Sequence, residues 1–140
     1  MQGHLFEDLA VGQTDQVTRQ VGEADLVAFA EVSGDNNPVH LDEAYAQTTS
    51  FGGRIAHGML AAAYISAVLG TRLPGPGAIY LSQSLRFRRP VRIGDEVTTT
   101  VTVTALDEKR GHVTLSTVCQ VNGKTVVDGE ALVMAPRRTA

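Results

Sequence analysis

Apolar and polar positions alternate with a period of two along the second half of the chain. Val97, Thr99, Val101, Val103 and Ala105 fall on one face while Thr98, Thr100, Thr102 and Thr104 fall on the other, the pattern of a half-buried strand. Val113, Leu115, Thr117, Cys119 and Val121 repeat it, and an Asn-Gly turn signal at 122–123 leads into 125–134, so these two runs predict a hairpin. From 79 to 89, Leu81, Gln83, Leu85 and Phe87 alternate against Ser82, Ser84, Arg86 and Arg88. That run predicts a third strand, with one face turned to the interior, entering a turn at 92–95. A further strand is expected around 13–21.

Before the Pro-Gly-Pro-Gly turn at 74–77 the period changes. Ala24, Leu26, Val27, Phe29 and Ala30 recur at near-helical spacing across 23–32, and Asp42 stands as an N-cap before a short Glu-Ala-Tyr-Ala-Gln turn. The segment 57–69 is apolar on every side, which predicts a helix enclosed by other structure. The fold class is therefore α+β: an antiparallel sheet of about five strands wrapped around one long buried helix. A chain of 140 residues has the length of one domain with one core.

Composition narrows the function. With 43% apolar and 19% charged residues, the chain lies far from the signature of disorder. A net charge of -3 with 12 Lys and Arg provides no basic footprint for nucleic acid. The lone Cys119 cannot form an intrachain disulfide, which favours a reducing compartment. The first ten residues lack the basic and apolar regions of a signal peptide, so a cytoplasmic location is expected. The apolar stretch 55–70 falls short of the roughly 20 residues of a spanning helix, so no membrane association is expected.

The chemistry concentrates in Ser33–Asp42, Ser-Gly-Asp-Asn-Asn-Pro-Val-His-Leu-Asp. Pro38 opposes helix and biases Asn37 toward an extended conformation, so Asp35 and His40 are expected in a fixed, non-helical loop. An Asp beside a His can orient the imidazole or share a water with it, and His titrates where a general base is useful. Asp and Asn also simply turn chains after helices. Gly58, near the start of the enclosed helix, is placed where unpaired backbone N–H groups attract an oxyanion, although close helix packing explains a glycine there equally well. His57 reads as an ordinary capping histidine, and Ser66 as a hydroxyl on the same helix. Gln83 falls on the inward face of its strand, where a buried amide needs partners, either in a polar pocket or on a loop backbone. Tyr80 reads as core. The chain contains no G-x-S-x-G elbow, Walker loop, dinucleotide fingerprint or H-E-x-x-H. An acid–base pair and an oxyanion site remain, the parts needed for proton transfer or water addition beside an activated carbonyl.

These residues resemble the MaoC-like (R)-specific enoyl-CoA hydratase family, which has a hot dog fold. The resemblance runs from Phe-Glu-Asp-Leu-Ala-Val-Gly-Gln near the start, through the Asp-x-Asn-Pro-x-His element at 35–40 and Ala-His-Gly-Met at 56–59, to the closing strands, making 1–140 a single hot dog domain. It implies that Asp35 and His40 are the catalytic pair, holding a water that adds across a trans-2-enoyl thioester. The Gly58 N–H then holds the thioester oxygen, Ser66 lies in the active site, and Asn37 shapes the loop. No metal or cofactor is expected beyond coenzyme A as part of the substrate. The resemblance also implies a homodimer with sheets joined edge to edge. Arg86, Arg88, Arg89 and Arg92 are candidates for coenzyme A phosphates or for a solvated face. Three rivals stay open: a 3-hydroxyacyl-acyl carrier protein dehydratase, a hot dog thioesterase, and an acyl-CoA-binding module without chemistry.

Overall fold

Leu26, Ile65, Val101, Val113 and Leu115 are all but inaccessible to solvent, and they mark the line along which a helix meets the concave face of a curved sheet. In the computed structural model, which describes residues 2–138, the helix is α4 (Gly58–Thr71). It follows α1 (Glu23–Ser33), α2 (Pro38–Leu41) and α3 (Glu43–Gln47), with a short 3-10 turn at Phe6–Asp8 near the N-terminus. The strands are β1 (Thr14–Gln20), β2 (Ile79–Gln83), β3 (Arg86–Phe87), β4 (Glu96–Asp107), β5 (His112–Val121) and β6 (Lys124–Met134). They form one antiparallel sheet in the order β1-β4-β5-β6-β2, with β3 also paired to β6. This is the hot dog arrangement, with α4 packed against β1, β4, β5 and β6. Among the described residues no helix is long and apolar enough to cross a membrane.

The alternating patterns act as expected where the sheet is regular. Val97, Thr99, Val101 and Val103 of β4 and Val113, Leu115, Thr117 and Cys119 of β5 face the core. Asn122 and Gly123, both at positive φ, close the β5–β6 hairpin. A bulge between Val103 and Ala105 then reverses the parity of β4, leaving Ala105 exposed and packing Leu106 against the core.

Three expectations are corrected. The single strand at 79–89 is two short strands, β2 and β3, giving six strands instead of five. A register shift between Tyr80 and Ser82 breaks the alternation, so Leu81 and Phe87 lie exposed at the sheet edge and Tyr80 is exposed as well. Second, α4 is not enclosed on every side: Met59, Ala63, Ser66, Ala67 and Gly70 are exposed. Small side chains hide such a face from a reading based on hydropathy. Third, Pro38 does not exclude helix. It occupies the first turn of α2, where its missing N–H costs nothing, while Asn37 before it is extended as the proline demands.

The crossing from β2 to β3 depends on one glycine. A Cβ at Gly129 of β6 would stand 1.8 Å from the Ser84 carbonyl oxygen, and that backbone is itself bonded to Glu130. Gly129→Ala is expected to destabilise the fold by about 3 kcal/mol through overpacking, measured by denaturant unfolding. A loss below about 0.5 kcal/mol contradicts the close approach.

Candidate active site

Helix α1 ends at Gly34, whose left-handed φ of 79° turns the chain into the loop 34–37. In that loop the Asp35 N–H donates to Ser33 Oγ at 3.1 Å and the Asn37 N–H donates to Asp35 Oδ1 at 3.2 Å. Asn37 Oδ1 accepts from the Val39 N–H at 3.1 Å, capping α2. The Asp35 side chain is exposed, whereas His40, on the helical turn of α2, is buried.

His40 Nδ1 lies 2.8 Å from the Ile55 carbonyl oxygen. A carbonyl only accepts, so Nδ1 carries the proton and Nε2 presents a lone pair. The His40 backbone is held from the other side by Arg54, whose Nε donates to the His40 carbonyl at 2.8 Å and whose guanidinium pairs with Glu23 at 2.7 Å. His57 is buried beside them. Its ring stacks on His40 with centroids 3.8 Å apart and 27° between planes. Its Nε2 donates to the Asp35 carbonyl at 2.9 Å.

Asp35, His40 and His57 each place a ligand-type atom within 4.8 Å of the others. A gap of that size admits one water hydrogen-bonded on two sides. The same carboxylate and two imidazoles are a composition able to take a divalent cation.

Gly58 opens α4, where the first N–H groups have no intrahelical partner. A Cβ there would meet the Phe87 ring at 2.9 Å, so a bare backbone is what lets this aromatic cover the helix start. A cavity of about 290 Å³ lies inward of Gly58, lined by Leu60, Tyr64, Val91 and Val97 among others, and bordered by Arg88 and Arg89. A more open groove lies outward, lined by Phe29, Ser33, Asp35 and Met59. His57, Gly58 and Phe87 border both.

The structure thus brings Asp35, His40 and Gly58 to one place, with Asn37 adjacent as a cap. Ser66 sits two turns further along α4, on its exposed face, and borders neither cavity nor groove. Gln83 is spent within the sheet: its Nε2 donates to the Ser84 carbonyl at 2.8 Å and to Thr117 Oγ1 at 3.0 Å, and its Oε1 accepts from the Tyr80 hydroxyl. The satisfied amide answers the question its inward position raised. Arg54 is the residue that sequence reasoning passed over, and the reading of His57 as a capping histidine is corrected, since it makes no side-chain cap bond to α4. The available signal was a second His preceding a glycine at the start of an apolar helix.

Comparison with known proteins shows the family. The family model described as MaoC like domain matches residues 8–131. The chain is 58% identical to the (R)-specific enoyl-CoA hydratase of Rhodospirillum rubrum, over 96% of this chain and 94% of that protein. It is 53% identical to the 3-hydroxybutyryl-CoA dehydratase of Methylorubrum extorquens, over 95% and 85%. Its structure is similar to the unliganded R-hydratase PhaJ1 of Pseudomonas aeruginosa, with a TM-score of 0.93 and 50% identity, covering 97% of this chain and 88% of that one.

Tyr64 yields a prediction independent of chemistry. Its hydroxyl is buried without a hydrogen-bond partner, and burial, aided by Asp25 and opposed by Arg19, raises its pKa above the ordinary 10.0. A raised value means that the fold favours the protonated phenol. Its stability contribution is therefore complete below about pH 10 and is lost as pH climbs through the folded value. Tyr64→Phe is expected to retain the fold and to move alkaline unfolding, followed by circular dichroism, to higher pH. An unmoved alkaline limb contradicts this.

Proposed function

The chain belongs to the MaoC-like domain family, and from that premise we propose that it is an (R)-specific enoyl-CoA hydratase, adding water reversibly to a trans-2-enoyl-CoA to give the (R)-3-hydroxyacyl-CoA. The observation that carries this reading is the clustering of Asp35 and His40, with His57, within 4.8 Å of one another, beside the Gly58 N–H that opens α4. Asp35 and His40 hold one water. Its oxygen bonds to C3 of the enoyl group while the pair takes its proton, and the C2–C3 π electrons move toward the thioester oxygen. The Gly58 N–H stabilises the resulting enolate. The pair then returns a proton to C2 from the same face, so one water is added and nothing else is consumed. No metal or cofactor enters these steps.

Asn37 shapes the loop by capping α2. The side chains of Arg88 and Arg92 are engaged with Asp128 and with the Phe51 carbonyl. Arg86 and Arg89 make no side-chain bond among the described residues, which leaves them for coenzyme A phosphates. We further infer a homodimer in the cytoplasm. The exposed Ile79, Tyr80, Leu81 and Phe87 at the β2–β3 edge and the small-residue face of α4 with Ser66 are surfaces a second copy would cover, and Cys119 is free.

The test is loss of enoyl-thioester absorbance with crotonyl-CoA. Wild type is expected to hydrate it to the (R)-product. Asp35→Asn is expected to lower kcat about 10³-fold while staying folded. Activity that survives this change, or an (S)-product, overturns the assignment; thiol release in place of hydration points to a thioesterase.

A further inference from the structure

We propose that His57 is a positioning residue that holds Asp35 and His40 at water-bridging distance. The inference builds on the hydration reading above.

Loop 34–37 is exposed, and nearly every hydrogen bond it makes is local. Gly34 N–H donates to Ala30, Asp35 N–H to Ser33, Asn36 N–H to Gly34 and Asn37 N–H to Asp35, while the Asn37 side chain and carbonyl serve the first turn of α2. Among the described residues, one hydrogen bond ties this loop to a distant element: His57 Nε2 to the Asp35 carbonyl, spanning 22 positions in sequence. Without it, Asp35 rides on a hinge of its own turns.

The same ring braces the other partner. Its face stacks on His40 at 3.8 Å, and the Phe29 ring packs against it, tilted, at 4.8 Å. One side chain therefore touches both members of the pair, and its own backbone immediately precedes Gly58. Capping does not account for it, because His57 makes no side-chain cap bond to α4. Its Nδ1 is buried without a partner, so the Asp35 carbonyl is the one hydrogen-bond partner of the ring among the described residues. The ring stacked on His40 also presents a π face to the imidazolium formed there when the water gives up its proton.

Misplacement of a reacting group by about 1 Å costs on the order of 100-fold in rate. His57→Phe keeps a ring of similar size and removes the donor, whereas His57→Gln keeps an N–H and removes the stack. His57→Phe is expected to lower kcat about 100-fold with the crotonyl-CoA KM changed less than about threefold, and His57→Gln is expected to recover part of that loss. Backbone 15N relaxation supplies a readout independent of turnover: residues 34–37 are expected to become more mobile in His57→Phe and to stay near wild type in His57→Gln. Wild-type kcat in His57→Phe, or unchanged loop relaxation, overturns the proposal. A wild type that hydrates no enoyl-CoA defeats the hydration reading instead, and the relaxation comparison still tests the anchor.

Discussion

The burial of α4 in the concave face of the sheet is the constraint on which the site depends. Ile65, Val68 and Leu69 are sealed against the strands, a contribution of roughly 1.5–3 kcal/mol for each large side chain. Because the helix cannot shift along this seat, its first residue is fixed in space. The segment leading into it is pinned as well, by Ala56 N–H to the Val91 carbonyl at 2.6 Å and Ile55 N–H to the Val39 carbonyl at 3.3 Å. The Gly58 N–H and the Ile55 carbonyl that orients His40 are thus parts of one rigid strut.

Around that strut the protein positions its imidazoles with backbone carbonyls. Ile55 fixes the tautomer of His40, and Asp35 fixes that of His57. Carbonyls set by regular structure move little, so the fold itself fixes how each ring is turned. In the proposed hydration, acid–base function falls to Asp35 and His40, and the stacked neighbour serves as scaffold. The cavity inward of Gly58 and the groove outward of it meet at His57, Gly58 and Phe87, so a thioester lying between them would pass the pair and the helix start together.

Much of this was legible in the sequence. The valine and threonine alternation of β4 and β5, the Asn-Gly hairpin and the apolar run of α4 all signal their state through period, and the Asp-x-Asn-Pro-x-His element isolates the pair. The errors have physical causes. A bulge at Tyr80–Ser82 resets side-chain parity, which no pattern of period two can reveal. The open face of α4 is made of Ala, Ser and Gly, residues whose hydropathy does not distinguish burial from exposure. Pro38 was read as a helix breaker because its effect depends on position, and at the first turn of α2 it is a helix starter. His57 was read as a capping residue because its contacts are to Asp35 and His40, and the 22 positions separating His57 from Asp35 are bridged only by the fold.

The central claim is that one water, held by Asp35 and His40 on one side of the substrate, supplies both the hydroxyl and the proton. Hydration of crotonyl-CoA in D2O, with the relative configuration at C2 and C3 read by NMR, tests it most directly. Deuterium and hydroxyl on the same face of the former double bond are the predicted result. Delivery to opposite faces would require two separate groups on two sides of the substrate and would contradict the shared-water pair.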